Sequence, residues 1–145
     1  MALVQQSVIV HHTPEEMFKL VDDVERYPQF LPWCGGAEVL ERNSEVTRAT
    51  LHINYHHIKQ DFTTENRKHP PRSMDITLVR GPFHNLDAHW RFIPLGNEAC
   101  KIEFRIHYEF SSKMLDTLIG PVFHYIANTF VDSFVKRADA VYVEK

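Results

Sequence analysis

Residues 100–110 alternate without a slip: Cys100, Ile102, Phe104, Ile106, Tyr108 and Phe110 are separated by Lys101, Glu103, Arg105, His107 and Glu109. Successive side chains of an extended chain point to opposite faces, so this segment forms a strand with one buried and one wet face. The same period recurs in Ala49, Leu51, Ile53 and Tyr55, in Met74, Ile76 and Leu78, and in Leu86, Ala88, Trp90 and Phe92. One-sided strands of this kind belong to antiparallel sheets. The gaps Arg42–Glu45, His56-His57, Lys68–Pro71, Arg80–His84 and Pro94–Ala99 are short and carry turn formers. The pattern predicts a meander of strands at 36–43, 46–55, 58–67, 72–80, 84–94 and 99–110, with an opening strand at 3–11.

Two regions switch to a helical period. Thr13-Pro14-Glu15-Glu16 supplies an N-cap, a proline at the first helical position and acids that suit the helix dipole, and Met17, Phe18, Leu20 and Val21 give an apolar face. A second short turn around Asp22–Tyr27 ends at Pro28. From Ser112 onward Leu115, Leu118, Ile119, Val122, Phe123, Ile126, Phe130, Phe134 and Ala138 recur at three- and four-residue intervals. They predict a helix over 113–142, roughly 45 Å long, with a kink or break at Gly120-Pro121. The expected class is α+β: a seven-stranded antiparallel sheet wrapped around a long C-terminal helix, with residues 1–145 as a single domain.

A sheet this broad has more inner face than one helix about 10 Å wide can cover. The remainder is filled by side chains or left as a pocket. The expected lining is Leu51, Ile53, Phe62, Met74, Ile76, Leu78, Trp90, Phe104 and Ile106 from the sheet, and Leu118, Val122, Phe123, Ile126 and Phe130 from the helix. Tyr55, Gln60, Arg80 and Tyr108 are the polar inward positions, with Arg80 at the rim. Tyr27, Phe30, Leu31 and Trp33 lie in an apolar segment braced by two prolines that reads as a lid, with Phe83 across the opening. The alternative for every one of these residues is plain core.

Composition narrows the function classes. With 145 residues, 43% apolar and 24% charged, the chain has an ordinary globular balance. A formal charge of −3 offers no global field for nucleic acid, and DNA is not an expected partner. The local exception is a basic hairpin tip, Arg67-Lys68-His69-Pro70-Pro71-Arg72, where Arg67, Lys68 and Arg72 suit a lipid headgroup or RNA phosphate. Ten histidines show no H-x-H or H-E-x-x-H spacing, and no metal is expected. There is no G-x-S-x-G, no base is assigned to Cys34, and no glycine-rich phosphate loop occurs, so no catalytic residue is assigned. No signal-like N-terminus or uninterrupted apolar run near 18 residues appears, so the expected location is cytoplasmic, or peripheral to the inner membrane.

Three stretches carry a family likeness: Val21–Cys34, with Tyr27-Pro28-Gln29-Phe30-Leu31-Pro32-Trp33-Cys34 at its end; Gly81-Pro82-Phe83 with Leu86, Trp90, Phe92 and Pro94-Leu95; and Leu118–Phe123 with Phe130–Phe134. Together, from about Val4 to Val141, the chain resembles the START-like polyketide cyclase/dehydrase family. Within it the likeness is to the subgroup of coenzyme-Q-binding proteins and ribosome-association (RatA-type) toxins. The resemblance implies a helix-grip (Bet v 1-like) fold with a deep hydrophobic cavity. It also implies non-enzymatic binding of ubiquinone or a related lipid, held as a ligand and not as a redox cofactor, in a carrier or chaperone supporting respiration. The toxin branch implies binding to the large ribosomal subunit and a block of subunit joining. The broader family implies polyketide aromatase or cyclase activity.

Overall fold

The computed structural model describes residues 2–142. Strand β1 (Ala2–Val10) leads through helix α1 (Pro14–Asp22) and a short 3₁₀ helix (Val24–Gln29) into β2 (Cys34–Arg42). Then follow β3 (Val46–Tyr55), β4 (Ile58–His69), β5 (Ser73–Arg80), β6 (Phe83–Leu95), β7 (Ala99–Phe110) and helix α2 (Lys113–Val141). The strands form one antiparallel sheet in the order β1-β7-β6-β5-β4-β3-β2. Its concave face grips α2, with α1 and the 3₁₀ helix bridging the two sheet edges. This is the expected α+β architecture.

Local chemistry explains the element ends. The Thr13 hydroxyl accepts from the Glu16 amide at 3.1 Å and the Glu16 carboxylate accepts from the Thr13 amide at 2.9 Å, a reciprocal cap that starts α1. Ser112 caps α2 by accepting from the Leu115 amide at 3.1 Å. His56 and His57 both have positive φ, 48° and 67°, the signature of the tight two-residue turn that suits the twist of β3 and β4. Gly81 has φ 155°, and a Cβ there would approach the Phe62 Cβ to 2.7 Å, so the β5–β6 turn requires glycine.

Of the kink or break expected at Gly120-Pro121, the break does not form. Helix α2 continues unbroken from Lys113 to Val141 with Pro121 inside it. Pro121 and Thr117, whose carbonyl loses its amide partner there, are both exposed, and water can take the place of the missing bond. Packing holds the helix together: Phe123, Ile126, Val131, Phe134 and Ala138 are buried against the sheet at helical spacing.

Candidate functional site

The inner faces of β3 to β7 converge with α2 and the segment after α1 on one apolar cavity. Its walls are Leu51, Phe62, Ile76, Phe104 and Ile106 from the sheet, Phe123, Ile126 and Phe130 from α2, and Tyr27 and Trp33 from the lid segment, all expected cavity residues. Thr64, Leu86, Ala88 and Ala127 complete it. The expected lining omits these four, although strand alternation already places Leu86 and Ala88 on the inner face.

The cavity is small. The space open to the centre of a water molecule is about 60 Å³, against the 300–1,000 Å³ typical of small-ligand sites. Aromatic rings take up the rest of the concavity. Phe130 sits 5.5 Å from Phe104, 5.7 Å from Trp90, 6.2 Å from Trp33 and 5.0 Å from Phe134, centroid to centroid, and Trp90 lies 4.6 Å from Phe104. The deep hollow implied by the family resemblance is thus largely occupied by the protein's own side chains.

Other expected cavity residues lie elsewhere. Leu31, Ile53, Met74 and Trp90 are buried core outside the cavity wall. Phe83 packs on Phe110 and Phe123. Phe30 stands edge-on to Tyr27 and Phe134, with the Arg137 guanidinium 5.2 Å from its ring centre. Tyr55 stacks on Tyr125, and Leu78 and Val122 are half-buried beside the core. Leu118 is 58% exposed, because it lies one turn from the exposed Met114 and about 100° around α2 from the buried Ile119. Arg80 is also exposed. A bulge sets Thr64 opposite Leu78 but Thr63 opposite Arg80, which interrupts the Met74-Ile76-Leu78 alternation. Arg80 Nε reaches Thr63 Oγ1 at 3.4 Å, and that hydroxyl also bonds Thr50 on the face away from the cavity.

The basic tip divides too. Arg67 and Arg72 are exposed, and Arg67 pairs with Glu65 at 3.3 Å. Lys68 points inward, 8% exposed, with its Nζ 3.3 Å from Asp22 Oδ2. It sits on the same inner face as Thr64 and Asn66, whose side chains bond at 2.9 Å, and Thr47 bonds the other Asp22 oxygen at 3.2 Å. This buried polar seam ties the end of α1 to β3 and β4. Lys68 is expected in solvent because the predicted strand ends at 67, one residue too early to continue the alternation.

The cavity wall carries little acid–base chemistry. Burial holds the Tyr27 phenol protonated, and its hydroxyl donates to the Val21 carbonyl. Burial likewise raises the Cys34 thiol, which donates to the Gly36 carbonyl at 3.3 Å. The Trp33 and Trp90 indole N–H groups are buried without a hydrogen-bond partner. The histidines on the convex face are held by carboxylates: His52 by Asp61 at 2.5 Å and Glu38 at 2.8 Å, His89 by Asp75, and His107 by Asp87 at 3.6 Å. Those two acids raise the His52 pKa. Among the described residues, no three His, Cys, Asp or Glu side chains converge as a metal site, and no helix is long and apolar enough to cross a membrane.

A curled seven-stranded sheet closed on a long C-terminal helix, with a small apolar cavity between them, defines a START-like helix-grip protein. Its structure superposes on a START superfamily protein from Mycobacterium smegmatis with a TM-score of 0.74 at 20% identity, covering 96% of this chain and 98% of that one. The chain belongs to the family described as polyketide cyclase / dehydrase and lipid transport, which it matches over residues 10–135. It is 42% identical over 144 residues to the ribosome association toxin RatA of Vibrio cholerae, covering 99% of this chain and all of that protein. It is 28% identical over 141 residues to the mitochondrial coenzyme Q-binding protein COQ10 homolog B of Xenopus laevis, covering 94% of this chain and 58% of that one.

Proposed function

We propose that this protein associates with the ribosome, through its large subunit, and acts from its outer surface without catalysis. The supporting observation is the filled interior: about 60 Å³ of open space cannot seat an isoprenoid quinone head. The end-to-end likeness to a ribosome association toxin supports the same reading. Purified protein mixed with ribosomes is expected to co-sediment with large subunits on a density gradient and to reduce joined particles. Unchanged profiles at low salt would remove this reading.

A second reading, binding of a compact apolar molecule, has one specific observation in its favour. Trp33 lines the cavity and its indole N–H, a donor that buried sites normally satisfy, has no partner. A guest with one carbonyl or phenol oxygen would complete it. Native mass spectrometry is expected to show a stoichiometric adduct on this reading, and bare protein mass would dismiss it. Aromatase or cyclase activity draws no support from the wall chemistry, because the Tyr27 hydroxyl is committed to the backbone and no second proton-transfer group faces it.

A further inference from the structure

The sheet has two edges, β1 and β2, and they are built in opposite ways. Strand β2 carries the features that stop an edge from pairing with another chain. Its register slips twice, between Cys34 and Gly36 and between Val39 and Glu41, and it presents Glu38, Glu41 and Arg42. Strand β1 carries none of them. Ala2–Val10 contains no charge and no proline, and it pairs with β7 without a bulge over its whole length. Among the described residues, no backbone hydrogen bond reaches β1 apart from those to β7. On its convex side Leu3 is 50% and Ile9 is 63% exposed.

We infer that β1 is a self-pairing edge, joining two copies of this chain through antiparallel β1–β1 contact into one continuous sheet. Full overlap of Ala2–Val10 with its own copy sets Leu3 opposite the partner's Ile9 at both ends and Gln5 opposite the partner's Ser7. The exposed aliphatic side chains therefore cover one another, the cross-strand pairing that stabilises sheets. The next strand out adds charge complementarity. Gln5 neighbours Arg105 and Ser7 neighbours Glu103 in the β1–β7 register. Each Arg105 then shares a row with the partner's Glu103, which pairs with Arg91 and Lys101 in its own chain, so opposite charges face across the seam three strand spacings or about 14 Å apart.

Gln6 lies at the midpoint of this register, and its Nε2 donates to the Asn128 carbonyl at 2.7 Å, which fixes the middle of β1 to α2. Helix α2 covers the inner side of β1, so a second copy adds in the plane of the sheet and not onto its face. The contact is small, which places the dimer among weak, concentration-dependent associations.

Sedimentation velocity of the full chain between about 1 and 300 µM is expected to show mass rising from 17.0 kDa toward twice that value. Leu3→Lys with Ile9→Lys, both exposed, is expected to leave the circular dichroism spectrum unchanged and abolish the rise. Leu3→Cys with Ile9→Cys is expected to give an oxidised dimer, while Leu3→Cys alone is not, since the two Leu3 positions stand about 20 Å apart in this register. The native Cys34 and Cys100 are buried and leave this readout clear. A monomer at every concentration would overturn the inference. So would a dimer that survives the double lysine variant, or one that Leu3→Cys alone cross-links.

Discussion

Ala88→Val separates the two functional readings, because it changes only the cavity. Ala88 lines it from β6, pairing with Ile76 on one side and Ile106 on the other. The open space is about 60 Å³, and cavity volume costs about 24 cal/mol per Å³, so filling it recovers about 1.4 kcal/mol. Counting methyl groups gives a similar figure, about 0.8 kcal/mol for each of the two added. Strain from imperfect fit offsets part of this, typically by 1 kcal/mol or more where the wall is rigid. A β-branched residue also suits a strand. The net expectation is a gain of about 0.5–1 kcal/mol, or a rise in Tm of about 2–4 °C for a chain of this size. Differential scanning calorimetry measures the stability, and the density gradient measures ribosome association, which is expected to be unchanged. A fall in Tm of several degrees would mean that the space is not free to fill. Loss of ribosome association with the fold intact would show that the cavity itself serves the function.

Lys68→Ala leaves Asp22 without its buried partner and is expected to lower stability by about 2–3 kcal/mol in urea titrations, with Lys68→Met recovering part of the loss through packing. The raised pKa of His52 means that its pairing with Asp61 and Glu38 stabilises the fold fully below the ordinary histidine value of about 6.5. That contribution disappears as pH rises through the raised folded value. The urea midpoint of His52→Gln should therefore trail the parent most in mildly acidic buffer and converge with it in alkaline buffer. His56→Asn with His57→Gly places the residues preferred by a positive-φ turn into the β3–β4 hairpin and is expected to stabilise by about 1 kcal/mol, read from thermal melts.

Much of the architecture is legible in the sequence because strand period and helix period are each imposed by one large burial surface. The alternation in 100–110 survives as β7, and the spacing from Leu115 to Ala138 survives as α2. The losses occur where periodicity alone does not determine a position. Arg80 follows three inward residues in step, but a bulge at Val79, opposite Thr63–Thr64 and with no sequence mark of its own, resets the parity. Leu118 is apolar and belongs to the α2 pattern, yet it lies just beyond the arc that the sheet covers. Lys68 is charged and near a Pro-Pro turn, which reads as a solvated tip. Only the contact with Asp22, distant in sequence, reveals why the strand can carry an amine inward. Cavity size is the hardest quantity to read, since the same apolar residues describe an empty concavity and a packed one.

That ambiguity bears directly on function. The family's fold has surplus inner surface, and this chain fills it with a ring cluster centred on Phe130, which touches Tyr27, Trp33, Trp90, Phe104 and Phe134. Such a cluster gives the lid segment a firm seat: the Tyr27 ring packs on Phe134 at 5.3 Å while the Glu25 carboxylate is clasped by Arg42, which draws its pKa down to about 2. A segment held from inside by rings and from outside by a charged fork is poorly suited to open for a guest. It is well suited to present a fixed outer surface, which is what the proposed ribosome association requires. The physical trade is between room inside and rigidity outside, and the packing around Phe130 places this chain on the side of rigidity.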